Sequence, residues 1–281
     1  MAIKIVTDST SYIPKKYLEK YDISVVSLNI LLKNTNRRET SISNQTFYKE
    51  MEEAKEFAVS SQPTPEEFYD VFDKIAKNGD DIIGIFISSE MSGTYSTANL
   101  VKNMILEKYD INIEIIDSRT NCMQMGFIVL EAAKYAKLGK SMNEILDITK
   151  NTIKNSRFVF SPSVLDYLKK GGRIGSASAL IGNLFQIKPI LTVNNGKTDV
   201  LAKVRTKKKA VSTMIDILMN DLKEKELGGV IVHHINCEED GLTLAKTLEE
   251  KLNMKVDIQD IGPVIGSHVG PGSIGIAYFW K

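Results

Sequence analysis

The 281-residue chain has only two cysteines and three histidines, and its formal net charge is +1. Cys122 and Cys237 lie far apart and match no metal-binding or redox spacing, so we expect two small buried apolar side chains in a reducing cytoplasm. A net charge so close to zero creates no overall field that would attract nucleic acid or an anionic membrane. These shortages argue against metal, redox and nucleic-acid functions.

Long apolar runs are also missing. Residues 1–6 are too few, and become polar too soon, to form a signal peptide. The most apolar later stretch, residues 177–193, is interrupted by Asn183, Gln186 and Lys188 and is too polar to span a membrane. We therefore expect a cytoplasmic protein with no stable membrane insertion.

In the first half, apolar segments rich in β-branched residues alternate with helical segments. Strands are predicted at residues 3–7, 24–31, 82–87 and 111–116, with helices between them. This alternation is typical of a doubly wound, mostly parallel sheet. We predict one α/β domain over residues 1–155.

The pattern changes over residues 156–281. Asn194-Asn195-Gly196-Lys197 is a hairpin signal between two predicted strands, and a small-residue helix is predicted just before it, at residues 176–185. Hairpins mixed with helices indicate a second α/β domain with a mixed or antiparallel sheet. Because no flexible linker separates the halves, we expect close packing and a ligand site in the cleft between them.

Two hydroxyl-rich segments are the most informative feature of the chain: Ser60-Ser61-Gln62-Pro63-Thr64 and Ser88-Ser89-Glu90-Met91-Ser92-Gly93-Thr94. The second follows the predicted strand at 82–87 and opens a predicted helix. In open α/β sheets, ligands bind at this edge, where helix N-termini and hydroxyls converge on anionic groups. Neither segment contains lysine or arginine, so neutral donors would hold the anion, which suits a carboxylate.

Some of these hydroxyls have structural interpretations. Thr64 and Glu67 fit the capping box S/T-x-x-E, which leaves Ser60 and Ser61 free for another role. Ser92 and Thr94 together supply more hydroxyl groups than one helix cap requires. Asp8-Ser9-Thr10-Ser11, after the first strand, fits both a helix cap and a ligand contact.

The three histidines all lie in the second half. A serine hydrolase is disfavoured because the sequence contains no G-x-S-x-G motif. His233 and His234 end a predicted strand on opposite faces, which favours structural roles. His268 lies in the glycine-rich segment 266–272, which we interpret as a loop that carries a charge or a hydrogen-bond donor near a ligand; a plain turn residue is the alternative.

Nucleotide and metal sites have no support in the sequence. Residues 171–175 lack the P-loop lysine, the first strand is followed by no G-x-G-x-x-G, and no carboxylate-rich metal loop is present. We predict no cofactor and no metal. Arg173 and Arg205 occupy turn-like positions and are candidates for contact with an anionic ligand or an acidic partner.

Taken in order, several segments resemble the DegV family, and together they span the chain. The matching segments are Asp8-Ser9-Thr10-Ser11, Ser61-Gln62-Pro63, residues 88–96, Ile116-Asp117-Ser118, residues 165–174, Lys188-Pro189-Ile190-Leu191 and residues 266–272. The resemblance implies a two-domain α/β protein that encloses a long-chain fatty acid between its domains. It also implies the role of the fatty-acid-binding subunit of bacterial fatty acid kinase.

In that role a separate ATP-dependent kinase subunit phosphorylates the acyl carboxylate, and the acyl phosphate feeds phospholipid synthesis. The binding subunit has no nucleotide site and is not itself an enzyme. The resemblance implies a carboxylate site made of Ser60, Ser61, Ser92, Gly93, Thr94 and His268. It places Arg173 and Arg205 towards the kinase and the phosphate.

A function of another class stays open at this point. The chain could be a stand-alone enzyme that acts on a small carboxylate or phosphorylated substrate in the interdomain cleft. That chemistry needs an acid–base pair near Ser92, and the sequence offers only Asp8 and His268.

Overall fold

The computed structural model describes residues 2–181 and 187–281. Its first half contains, in chain order, β1 (Ile3–Asp8), α1 (Lys15–Tyr21), β2 (Ser24–Val26), β3 (Asn29–Leu32), β4 (Thr35–Arg38), α2 (Asn44–Ala54), β5 (Val59–Ser61), α3 (Pro65–Ala76), β6 (Asp81–Phe86), α4 (Thr94–Leu106), β7 (Ile113–Asp117), α5 (Cys122–Lys137) and α6 (Met142–Lys154). The second half contains β8 (Ser156–Ser161), α7 (Asp166–Lys170), β9 (Lys188–Asn194), β10 (Lys197–Val204), α8 (Lys207–Asp221), β11 (Leu227–Ile235), α9 (Glu238–Leu252), β12 (Asp257–Asp260), α10 (Pro263–Val269) and β13 (Ser273–Trp280).

The first half is built on a four-stranded parallel sheet in the order β2-β1-β6-β7. The apolar run of β6 is buried on both faces, as expected for the centre of such a sheet. Helices α3 and α4 pack on one face and α5 packs on the other. The predicted doubly wound parallel sheet is confirmed.

The prediction of a single strand at residues 24–31 is wrong. It divides into β2, which joins the parallel sheet, and β3, which joins a separate antiparallel sheet of order β4-β3-β5. Between them, Leu28 donates its N–H to Ser9 Oγ at 3.1 Å and accepts from Glu39 N at 2.8 Å. These contacts turn the chain out of the parallel sheet and create the small sheet that carries Ser60 and Ser61.

The second half is built on a six-stranded mixed sheet in the order β10-β9-β8-β13-β11-β12, in which β11 and β12 are the parallel pair. Asn195 and Gly196 both have positive φ, 48° and 82°, as a two-residue hairpin turn requires. The predicted hairpin and the mixed sheet are confirmed. The part of the predicted 176–185 helix that the structure describes forms a 3₁₀ turn, Gly175–Leu180, and residues 182–186 lie outside the described residues.

Helix α5 lies between the two sheets. It packs against β1 and β6 of the parallel sheet and against β8 and β13 of the mixed sheet. Phe127 of α5 meets Phe279 of β13 with ring centroids 5.1 Å apart. His233 is fully buried and accepts a hydrogen bond from Met123 N at 3.1 Å, which gives it a structural role at this junction.

Helices α8 and α9 cover the other face of the mixed sheet. Because β8, the first strand of this sheet in the chain, begins at Ser156, we keep residues 1–155 and 156–281 as proposed domains. No helix in the described part of the chain is long and apolar enough to cross a bilayer.

Candidate functional site

A cavity of about 410 Å³ lies between the two halves of the molecule. It sits at the carboxyl edge of the parallel sheet, because residues that follow β6 and β7 form one wall. Most of its surface is apolar, with side chains from both halves: Ile87, Met91, Phe158, Phe160, Ile265 and Val269. A narrow apolar recess shares four of these residues and extends towards Ile235 and Ile261.

Ser60 of the first half and His268 of the second half form a polar pair in the cavity wall. Ser60 Oγ and His268 Nε2 are 2.7 Å apart. Ser60 is held by the pairing of β5 with β3, where it lies opposite Ile30. His268 lies in helix α10, which Pro263 begins at the first helical position, so the predicted loop is wrong for residues 266–269. Residues 270–272 form a turn between α10 and β13.

The His268 side chain is neutral at neutral pH. Burial, aided by the positive charge of Arg173, lowers its pKa to about 4. Its Nδ1 atom is buried and has no hydrogen-bond partner among the described residues. Gly171 leaves room for the ring, since a Cβ at that position would lie 2.2 Å from Nδ1.

The segment between β6 and α4 brings a second hydroxyl to the cavity. Ser92 and Gly93 line it, and Ser92 Oγ lies 2.8 Å from Thr94 Oγ1. Thr94 is fully buried behind Ser92 and is not among the cavity-lining residues. A Cβ on Gly93 would lie 1.9 Å from Gln62 Oε1, so this glycine lets the Ser60–Ser61 segment approach the start of α4.

The two predicted arginines have different positions. Arg173 lines the cavity, where its Nε donates to Met91 O at 3.0 Å and its Nη1 donates to Gly171 O at 2.7 Å. Arg205 is exposed in the bend before α8 and does not line the cavity. The structure therefore brings six of the eight predicted residues together: Ser60, Ser61, Ser92, Gly93, Arg173 and His268. Their contact with a ligand stays a prediction.

Asn121 is a cavity residue that the sequence reasoning missed. An asparagine just before a helix is most simply interpreted as an N-cap, yet its side chain makes no capping bond to α5. Its Nδ2 donates to Met91 Sδ at 3.1 Å, and its buried Oδ1 has no hydrogen-bond partner among the described residues. The cavity wall thus contains two buried polar atoms without a hydrogen-bond partner among the described residues, Asn121 Oδ1 and His268 Nδ1.

Asp8 has a structural role. It is fully buried, accepts from Thr10 N at 2.9 Å and from Ile87 N at 2.8 Å, and ties together the segments that follow β1 and β6. Burial raises its pKa to about 6. Because Asp8 does not line the cavity, the Asp8–His268 acid–base pair needed by a stand-alone enzyme is not assembled there.

Within residues 2–181 and 187–281, no cluster of three or more histidine, cysteine, aspartate or glutamate side chains could hold a metal ion. The arrangement at the cavity is therefore an apolar pocket with a rim of hydroxyls, a neutral imidazole and one guanidinium.

Comparison with known proteins gives a consistent result. The model of the DegV family, described as uncharacterised proteins, matches residues 2–281. A DegV domain-containing protein of Clostridium acetobutylicum is 51% identical over 280 residues, 99% of this chain and 98% of that protein. The structure of a fatty acid-binding DegV family protein from Thermus thermophilus superimposes with a TM-score of 0.93 at 27% identity, covering 100% of both chains. The structure of DegV from Bacillus subtilis, a fatty acid-binding protein, superimposes with a TM-score of 0.90 at 34% identity, again over 100% of both chains.

Proposed function

The chain belongs to the DegV family, and from that premise we propose that its cavity binds a long-chain fatty acid, with the carboxylate at Ser60, Ser92 and His268. The similar structures from T. thermophilus and B. subtilis are fatty acid-binding proteins, which supports this ligand. The observation that carries the proposal is the combination of apolar walls with an almost uncharged polar rim.

The polar rim matches the chemistry of a carboxylate. A carboxylate accepts about four hydrogen bonds and donates none. Two serine hydroxyls and the N–H of a neutral imidazole supply donors of the right kind at the rim. Because these few neutral donors hold the carboxylate less firmly than a bidentate arginine would, one of its oxygens stays free to act as a nucleophile.

The apolar walls supply the binding energy. Burial of an acyl chain is worth about 0.8 kcal/mol per methylene, or about 13 kcal/mol gross for sixteen carbons. Much of this is lost in immobilising the chain. The rim therefore needs only to offset the water that the carboxylate gives up.

We further propose that the protein presents this carboxylate, in the cytoplasm, to a separate ATP-dependent kinase subunit. One carboxylate oxygen attacks the γ-phosphorus of ATP; a C–O–P linkage forms, the bond to the bridging β–γ oxygen breaks, and ADP leaves. The product carries more negative charge than the carboxylate, so Arg173 at the cavity favours it. Exposed Arg205 is proposed to face the kinase.

One contact in the cavity is also compatible with a different function. Ser60 and His268 are as close as the serine and histidine of a catalytic triad, which would suit a stand-alone hydrolytic enzyme. However, Nδ1 of His268 has no orienting acid among the described residues, and a pKa of about 4 makes this histidine a weak base at neutral pH. The pair is therefore better suited to hydrogen-bond a carboxylate than to activate a nucleophile.

Extraction of the purified protein with organic solvent, followed by mass spectrometry, separates the two functions. One long-chain fatty acid per chain is expected. An empty extract, together with turnover of a small carboxylate or phosphorylated substrate by the protein alone, would favour the enzyme.

The presenting role is tested with the kinase subunit and ATP. Ser92→Ala and His268→Ala are expected to reduce the yield of acyl phosphate. Ser89→Ala is the matched control, because Ser89 lies in the same segment but bonds to Asp117 at 2.6 Å and does not line the cavity. Wild-type yields from both cavity variants would contradict the proposed carboxylate site.

A further inference from the structure

Helix α10 forms part of the cavity wall but does not cap itself. Four of its seven residues line the cavity: Val264, Ile265, His268 and Val269. The residue before it, Gly262, makes no side-chain cap, and Pro263 has no N–H to donate. The first two N–H groups of this helix therefore need acceptors from elsewhere.

Those acceptors come from the other half of the molecule. Val264 N donates to Glu39 Oε1 at 2.8 Å, and Ile265 N donates to Tyr12 Oη at 3.1 Å. Tyr12 Oη in turn donates to Glu39 Oε1 at 2.8 Å. The two side chains thus form one connected cap on a helix more than 220 residues away in the sequence.

A second tyrosine extends this contact. Tyr48 of α2 is buried, and its hydroxyl donates to Ile261 O at 2.8 Å, just before α10. A Cβ on Gly266 would lie 1.9 Å from that hydroxyl, and a Cβ on Gly262 would lie 2.7 Å from Glu39 Oε1. The glycines before and within α10 are therefore what allow the clasp of Tyr12, Glu39 and Tyr48 to close on it.

The local backbone supports the same arrangement. Tyr12 follows the 3₁₀ turn Ser9–Ser11 and has φ +48°, a left-handed conformation that is strained for an aromatic residue. Such strain persists only where the surroundings enforce it. Glu39 is 5% exposed, so its bonds to α10 are sheltered from water.

We propose that Tyr12 and Glu39 are positioning residues that set the place of His268 by capping α10 from the opposite half of the protein. The carboxylate site is then complete only when the two halves are docked through this clasp. The consequence for ligand binding rests on the proposed function, whereas the placement of His268 does not.

The pKa of the His268 ring depends on where the ring lies, so it can be used to follow the position of this residue. In the ligand-free protein, an NMR titration of the ring is expected to give a pKa near 4, because the ring is buried beside Arg173. Glu39→Ala and Tyr12→Phe remove acceptors of α10, and in both we expect the pKa to rise by more than about one unit, towards the unperturbed value of about 6.5. Glu39→Gln keeps an acceptor oxygen and is expected to stay near the wild-type value.

Asp73→Ala is the matched control. Asp73 is also a buried carboxylate that accepts from a tyrosine, with Tyr109 Oη at 2.7 Å, but it lies on α3, away from α10. Its loss is expected to leave the pKa of His268 unchanged. A wild-type His268 pKa in both Glu39→Ala and Tyr12→Phe, or an equal rise in Asp73→Ala, would overturn the proposal; should Glu39→Ala not fold, Tyr12→Phe decides alone.

Binding of a saturated sixteen-carbon fatty acid is the second readout. We expect Glu39→Ala and Tyr12→Phe to bind it about five- to tenfold more weakly, the loss that matches a missing helix cap. If the wild-type protein binds none of this ligand, the proposed function fails. The His268 titration still decides whether the clasp positions the ring.

Discussion

Gly93 and Gln62 provide a direct test of how the hydroxyl segments are held together. Gly93 has φ −74° and ψ 2°, which any residue adopts, so alanine adds no backbone strain there. Its Cβ would nevertheless lie 1.9 Å from Gln62 Oε1. In Gly93→Ala, Gln62 must therefore move and lose the bond from its Nε2 to Thr97 Oγ1, now 2.7 Å.

The expected magnitude follows from these contacts. The atoms that clash are the free end of the Gln62 side chain, which can swing away, so the clash itself costs little. The lost hydrogen bond costs about 1 kcal/mol, and alanine returns about 0.5 kcal/mol through the unfolded state. Gly93→Ala should therefore lower the free energy of unfolding by about 0.5 kcal/mol, and Gln62→Ala alone by about 1 kcal/mol. In the double variant the hydrogen bond is lost only once, so the loss should again be about 0.5 kcal/mol.

The free energies of unfolding of the wild type, the two single variants and the double variant are measured in urea and compared as a double-mutant cycle. The double variant should be about 1 kcal/mol more stable than the sum of the single losses predicts. Losses that add to within about 0.5 kcal/mol would show that the two residues do not collide, and that β5 and α4 do not approach each other as closely as the structure has them.

Three further results are expected. Thr64→Ala should lower the free energy of unfolding by about 1 kcal/mol, since Thr64 forms a capping box with Glu67, but should leave fatty acid affinity unchanged; weaker binding in a direct titration would show that Thr64 contacts the ligand. Asn121→Leu should raise both stability and affinity for a saturated fatty acid by about 1 kcal/mol, because it removes a buried amide oxygen that has no hydrogen-bond partner among the described residues; a loss of affinity would place the amide at the carboxylate. Burial raises the pKa of Glu39 from 4.5 to about 7, so the native state holds a proton that the unfolded state has released between these values. The stability of Glu39→Gln relative to wild type should therefore increase as the pH rises from 4.5 to 7 and level off above 7, as followed by unfolding at each pH; a flat difference would mean that Glu39 titrates normally.

Several elements were predictable because their signals are local. The β-branched run of β6, the Asn195-Gly196 turn and the Thr64–Glu67 capping box each depend on residues within a few positions of one another. Local signals also explain why residues 88–94 could be assigned to a strand end and a helix start, whereas the strand at Val59–Ser61 was not predicted. The proposed ligand, a fatty acid, was instead suggested by resemblance to a family.

The errors arose where distant contacts override local pattern. The apolar run at 24–31 is locally one strand, but bonds from Leu28 to Ser9 and Glu39 divide it between two sheets. The glycine-rich segment that contains His268 is locally a loop, but Glu39 and Tyr12 cap it as a helix. Periodicity within a segment carries no information about such partners.

The amino-acid sequence is enough to predict the alternation of strands and helices, the lack of lysine and arginine in the hydroxyl segments and the absence of a disulfide or P-loop pattern. Only the tertiary structure decided that Ser60 meets His268 across 208 residues, that Thr94 lies behind Ser92 and that Arg205 lies away from the cavity. The physical reason is that backbone propensity and hydrophobic periodicity act over a few residues, whereas a binding site forms where the packing of two sheets on α5 brings distant segments together.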